Sequence, residues 1–177
     1  MISNNLKQLS ELLNSITASK IGYQPGSNYV LPVSNKELKE VLQNLPVDFQ
    51  LFYKLCDGIM MPDVYNGYFI DTLERLSTTD VRGEPSQILD SSVDILVFGS
   101  DGGGGRFAID HKSGEVYYLP SGGSIRYGVF SFLSSKDAPI LIAKNFNYFI
   151  ERLLNDVRAF LQEDKQWAYL TDNFKEK

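Results

Sequence analysis

Seven consecutive residues, Gly99-Ser100-Asp101-Gly102-Gly103-Gly104-Gly105, form the segment of this chain most suggestive of chemistry. Glycine-rich loops cradle phosphates when a helix follows and aims its N-terminal amides at the anion, usually with a lysine nearby. Here Arg106-Phe107-Ala108-Ile109-Asp110 follows and reads as a strand, and no Gly-Lys-Ser/Thr is present. The segment therefore reads as a tight strand-to-strand connection using backbone angles that glycine allows. A loop contacting a partner is the second reading. A small-molecule enzyme working through this loop is a third.

Other catalytic constellations do not assemble from the residue types. The chain holds one histidine, His111, and one cysteine, Cys56. One of each cannot make a Cys/His metal site. His111 sits in an expected turn and Cys56 on an apolar helical stripe, which argues against a nucleophile–base pair. Asp94 and Asp110 could meet on neighbouring strands, but nothing in their spacing selects them as a glycosidase pair. No catalytic residue, metal or cofactor is expected.

Charge carries more information. The 177 residues sum to −5, and 43% of them are apolar. A chain of this length fits one domain and can bury roughly 70% of its unfolded surface. The acidic balance argues against direct nucleic-acid binding. Between residues 57 and 110 lie ten acids (Asp57, Asp63, Asp71, Glu74, Asp80, Glu84, Asp90, Asp94, Asp101 and Asp110) and three bases (Arg75, Arg82 and Arg106). The acidic character thus lives in the loop-rich middle. Tyr65 and Tyr68 sit inside it, and an aromatic anchor among carboxylates suits a basic protein partner. An ordinary solvated acidic face with half-buried tyrosines is the alternative.

The elements that position these residues can be read from periodicity. Leu6, Leu9, Leu12, Leu13 and Ile16 mark a helix over residues 4–17. Ser34 and Glu37 form a capping box opening a helix with Leu38, Val41, Leu42 and Leu45. Pro46 leads the next helix, carrying Phe49, Phe52, Tyr53 and Cys56, with Gly58 as its stop. Strands are expected at 68–70, 93–98, 106–110, 115–119 and 125–132, and Asp71 with Glu74 is expected to cap a short helix through Leu76. Asn145 caps a long C-terminal helix with Phe146, Phe149, Ile150, Leu153, Leu154, Val157, Phe160 and Leu161 on one stripe. Trp167, Tyr169, Leu170 and Phe174 are candidates to dock back on the body. The order of helices, then strands, then a helix favours an α+β single domain over residues 1–177. Its sheet is mixed and largely antiparallel, flanked by N-terminal helices and the long C-terminal helix. The start, Met1-Ile2-Ser3-Asn4-Asn5-Leu6-Lys7, does not resemble a signal peptide, and no run approaches the ~20 residues of a membrane span. A cytoplasmic protein away from membranes is expected.

Three sequence blocks together resemble the SUKH superfamily, which includes the yeast regulator of cell-wall glucan synthesis and many bacterial proteins. They are Leu45-Pro46-Val47-Asp48-Phe49 with Phe52-Tyr53 and Asp57-Gly58; Phe98 through Asp110; and Ala143-Lys144-Asn145-Phe146 with Phe149-Ile150-Leu153-Leu154. The resemblance covers roughly residues 34–162. Asp57 stands where the family often has asparagine, and Arg106 where it frequently has an acid. The resemblance implies an α+β fold, no catalytic apparatus, and two roles. Bacterial members are thought to be immunity proteins that bind a cognate polymorphic toxin, often a nuclease. Others are regulatory scaffolds, as in cell-wall glucan synthesis. The expectation is a non-enzymatic binding protein neutralising a basic, nuclease-type toxin through Asp63, Tyr65, Asp71, Glu74, Asp101 and Arg106.

Overall fold

The computed structural model describes residues 2–34, 42, 44–89, 91, 93–162 and 170. Helix α1 (Ile2–Asn14) buries Ile2, Leu6, Leu9 and Leu13 on one stripe. It ends before residue 17, with Ser15 Oγ donating to the Leu12 carbonyl at 2.7 Å. One turn, α2 (Ala18–Ile21), follows and stops on Gly22 at φ 80°. Glu37, and with it the capping box expected with Ser34, lies outside the described residues, although Leu42 and Leu45 are buried.

Helix α3 (Val47–Leu55) is led by Pro46 as expected and buries Phe49, Phe52 and Tyr53. Gly58 is not its stop, because Cys56 is already extended. Gly58 instead takes φ 107° where a Cβ would lie 2.5 Å from the Ile70 carbonyl. The short helix α4 (Leu73–Leu76) is capped by Thr72, whose Oγ1 accepts from Arg75 N. Asp71, the expected cap, faces two arginines instead.

The described strands are β1 (Tyr29–Val30), β2 (Ile59–Met61), β3 (Tyr68–Ile70), β4 (Gln87–Ile88), β5 (Val93–Asp101), β6 (Arg106–Asp110), β7 (Val116–Leu119), β8 (Ser124–Arg126), β9 (Val129–Ser131) and β10 (Ile140–Ala143). Every pairing is antiparallel except β4 with β9. The sheet is thus mixed and largely antiparallel, and the α+β class holds. The strand expected at 125–132 divides at Tyr127 and Gly128, with φ 53° and 74°. Two successive positive φ angles make the tight hairpin turn that matches strand twist.

Strand β5 organises the sheet. It pairs with β6 on one side, and with β4 and β3 at opposite ends of the other. Its alternate residues Leu96 and Phe98 join the large core under the helices. Ile95 and Val97 join a smaller cluster with Ile88, Ala108, Leu119 and Phe130 on the other face. Burial on both faces explains why β5 reads as a continuous apolar run rather than an alternating one. Phe98 meets Phe49, Phe146 and Phe149 edge-on at 5.2–5.6 Å. Such pairs contribute about 0.5–1.5 kcal/mol each beyond burial.

Helix α5 (Phe146–Gln162) covers this core. Asn145 Oδ1 accepts from Tyr148 N at 2.8 Å, the expected cap. Leu170 is fully buried, and its N–H donates to Asp156 Oδ2 at 2.7 Å. Trp167, Tyr169 and Phe174 lie outside the described residues. No described helix is long and apolar enough to cross a membrane.

Candidate partner-binding surface

Five of the six singled-out residues fall along one run of joined turns and ion pairs, and the sixth, Glu74, is next in sequence to Arg75 at its end. The run starts at the turn between β2 and β3. Asp63 Oδ2 accepts from Gly26 N at 2.7 Å and from the Asn28 amide, and Asp63 N donates to Asn28 Oδ1. These bonds clamp the 22–28 segment onto the turn. Tyr65 follows at φ 53°, an unusual conformation for a bulky residue. It is held there by edge contacts with Phe160 at 5.4 Å and Tyr68 at 6.3 Å.

The second link is the glycine turn joining β5 to β6. It is the strand-to-strand connection expected from sequence, and no helix follows it. Asp101 shapes it, with Oδ1 accepting from Gly103 N at 2.9 Å and Gly105 N at 2.7 Å. Its Oδ2 accepts from Tyr118 Oη at 2.7 Å. Burial, then this hydrogen bond to the carboxylate, raises the Tyr118 phenol above its ordinary range. Gly102 N donates to the Gly67 carbonyl at 3.1 Å. A Cβ on Gly102 would lie 1.7 Å from the Asn66 carbonyl oxygen. Close backbone approach is therefore the reason for glycine here, and it locks the two turns together.

Arg106 extends the run. Its Nη1 donates to the Gly104 carbonyl and its Nε to Glu84 Oε2 at 2.6 Å. Glu84 Oε1 pairs with Arg82 at 3.4 Å, and Arg82 with Asp71 Oδ2 at 3.2 Å. Arg75 pairs with Asp71 Oδ1 at 2.8 Å. Asp71 is only 8% exposed. Burial raises its carboxyl above the usual range, outweighing the opposite pull of Arg75 and Arg82. Glu74, beside Arg75, is exposed. Along this strip five carboxylates (Asp63, Asp71, Glu74, Glu84, Asp101) face three guanidiniums (Arg75, Arg82, Arg106), leaving it two charges negative.

The strip is less open than composition implies. Asp63, Asp71, Asp101 and Arg106 hold the chain's own loops, and within the window Glu74, Asp80 and Asp94 are the described acids that stand exposed. Asp57 and Asp110 are likewise internal. Asp57 Oδ1 accepts from Leu73 N, and Asp110 accepts from Lys112 N, Ser113 N and Ser113 Oγ. Asp94 turns to Gln87 at 3.1 Å, so Asp94 and Asp110 face different partners. Glu84, Asn28 and Tyr118 were not singled out from sequence, because each acts across a long chain separation with no local motif.

Cys56 is 1% exposed, and burial pushes its thiol up to about 12. That thiol is a poor nucleophile. His111 is half-buried and lines a cleft of about 390 Å³ with Thr79, Asp80, Glu84 and Val97. Among the described residues no cluster of three or more His, Cys, Asp or Glu is placed to hold a metal.

A second cavity, of about 270 Å³, lies where Tyr65 meets Phe160, and Asp63, Tyr23, Lys20, Ile21 and Leu161 complete its lining. Tyr23 is 51% exposed. Its hydroxyl is raised by desolvation and by the neighbouring Asp63 carboxylate.

No curated protein matches the chain. The family model of the SMI1 / KNR4 family (SUKH-1) does match, over residues 32–152. That span holds all six singled-out residues and the turns that join them, and the chain belongs to this family.

Proposed function

We propose that this chain is a non-enzymatic, partner-binding protein that neutralises a basic toxin domain of the nuclease class. The observation carrying this reading is the net-negative strip of clamped turns from Asp63 to Arg106. Support also comes from membership of the SMI1 / KNR4 family. A nuclease groove is basic because it holds phosphates, and a carboxylate-bearing surface of fixed shape is complementary to it. Glu74 and Tyr65 make the contact in this reading. Asp63, Asp71, Asp101 and Arg106 hold the surface in shape, which lowers the ordering cost on association.

The test begins with affinity capture from the native cell, followed by association kinetics with the captured domain across a salt series. Electrostatic steering slows association steeply with salt. Glu74→Lys combined with Asp80→Lys should slow association without unfolding, since both residues are exposed. Salt-independent association, or unchanged kinetics in the double variant, sinks the electrostatic mechanism. Capture of cell-wall synthesis components in place of a toxin would replace this role with a regulatory scaffold.

A further inference from the structure

We propose that the cavity bounded by Tyr23, Asp63, Tyr65, Phe160 and Leu161 receives an arginine side chain of a basic protein partner. This rests on the partner-binding reading and narrows it to one pocket.

Three observations carry it. First, the lining combines three aromatic rings (Tyr23, Tyr65, Phe160) and two aliphatic side chains (Ile21, Leu161) with one carboxylate and the Lys20 ammonium, and rings beside a carboxylate suit a planar cation. A guanidinium stacks on ring faces and pairs with a carboxylate in the same pose, whereas an ammonium is a strongly hydrated point charge. Second, the carboxylate is held in place. Gly26 N–H and the Asn28 amide both go to Asp63 Oδ2, and the Tyr23 hydroxyl also hydrogen-bonds the carboxylate. Tyr65, at φ 53°, packs on Phe160 at 5.4 Å and so forms part of the wall. Strained bulky residues persist where the surroundings over-determine them, as at ligand clamps. Third, the volume of about 270 Å³ lies at the lower edge of the roughly 300–1,000 Å³ of ordinary small-molecule sites. It suits one long side chain.

Lys20 also lines the cavity, and its ammonium donates to Ser15 Oγ at 3.2 Å rather than to Asp63. Its charge opposes an incoming cation, so it works as a tuning residue. Lys20, Tyr23, Phe160 and Leu161 lie outside the family-matched span, which runs from 32 to 152. Asp63 and Tyr65 lie within it. The pocket therefore joins residues inside the matched span to residues outside it.

The test titrates the intact chain with N-acetyl-arginine amide, N-acetyl-lysine amide and N-acetyl-norleucine amide, following tyrosine ring resonances by NMR. Expected are saturable shifts at Tyr23 and Tyr65, strongest with the arginine probe. Tyr23→Ala should weaken binding roughly two- to fivefold. Lys20→Glu should tighten it roughly threefold. Both residues are exposed, so neither variant threatens the fold. Absence of saturable shifts, equal binding of norleucine, or indifference to both variants overturns the pocket. A captured partner whose affinity ignores both variants also overturns it, while partner binding itself stands. A responsive arginine site in a chain that captures no protein leaves the pocket standing and removes the functional reading.

Discussion

Gly102→Ala tests the lock between the two turns that build the strip. The new Cβ would sit 1.7 Å from the Asn66 carbonyl oxygen, where real Cβ atoms essentially never come within 3.0 Å. Relief requires the backbones to part by more than an ångström, because neither atom is the end of a flexible side chain. That displacement also breaks the 3.1 Å bond from Gly102 N to the Gly67 carbonyl. Overpacking costs about 1–3 kcal/mol and a lost hydrogen bond about 0.5–1.5 kcal/mol, so a loss of about 2–4 kcal/mol is expected. At roughly 2–4 °C per kcal/mol for a chain of this size, Tm should fall by about 5–15 °C. The control is one residue away. A Cβ on Gly103 meets nothing closer than Asp101 Oδ1 at 3.4 Å, and its φ is not positive. Gly103→Ala should therefore stay within about 0.5 kcal/mol of the parent. Thermal and urea unfolding followed by circular dichroism give both numbers. Equal costs at the two positions, or an unaffected Gly102→Ala, would refute close approach as the reason for glycine there.

Three further outcomes follow from buried groups. Cys56, 1% exposed and pushed up to about 12, should resist thiol reagents at mildly alkaline pH and react only as urea unfolds the chain; rapid stoichiometric labelling of the native protein contradicts this. Tyr68 Oη donates to Asp156 Oδ2 at 3.0 Å, and Asp156 is 1% exposed. Tyr68→Phe should therefore cost about 1–3 kcal/mol in urea unfolding, with a near-zero effect arguing that this bond is dispensable. The Asp71 carboxyl is raised by burial, so the native state keeps that proton to higher pH than the unfolded chain. Its contribution to stability is present below the unfolded carboxylate range and is lost as pH rises through the raised native value. As pH rises from below the ordinary carboxylate range through the raised native value, the parent should lose stability relative to Asp71→Asn, and a difference running the other way would reverse the assigned sign.

Much of the architecture was legible because it rests on local pattern. The stripes from Leu6 to Leu13 and from Phe146 to Val157 have helical spacing and a buried face, so their helices were expected. Asn145 as a cap, Pro46 as a helix opener and the glycine turn before Arg106 each follow from short-range chemistry. The strands that escaped reading, β1, β2, β4 and β10, have two to four residues each. At that length there is too little alternation to register, and they exist because neighbours supply the hydrogen bonds. The displaced cap at Thr72 shows the same limit, since Asp71 has capping chemistry but is drawn toward Arg75 and Arg82 instead.

What the amino-acid order determined alone was the α+β class, the helical faces, the tight turn and a mid-chain excess of acid. Tertiary structure decided what that acid does. Charge counting treats every carboxylate as solvated, but a folded chain must satisfy its buried and half-buried polar groups. Asp101 is bonded to the turn it shapes, Asp63 to Gly26, and Asp71 and Glu84 to arginines. The partners of Asp63 and Glu84 lie 37 and 22 residues away in sequence. Only folding brings those groups within bonding distance, and with them the pocket between Tyr23, Asp63 and Tyr65.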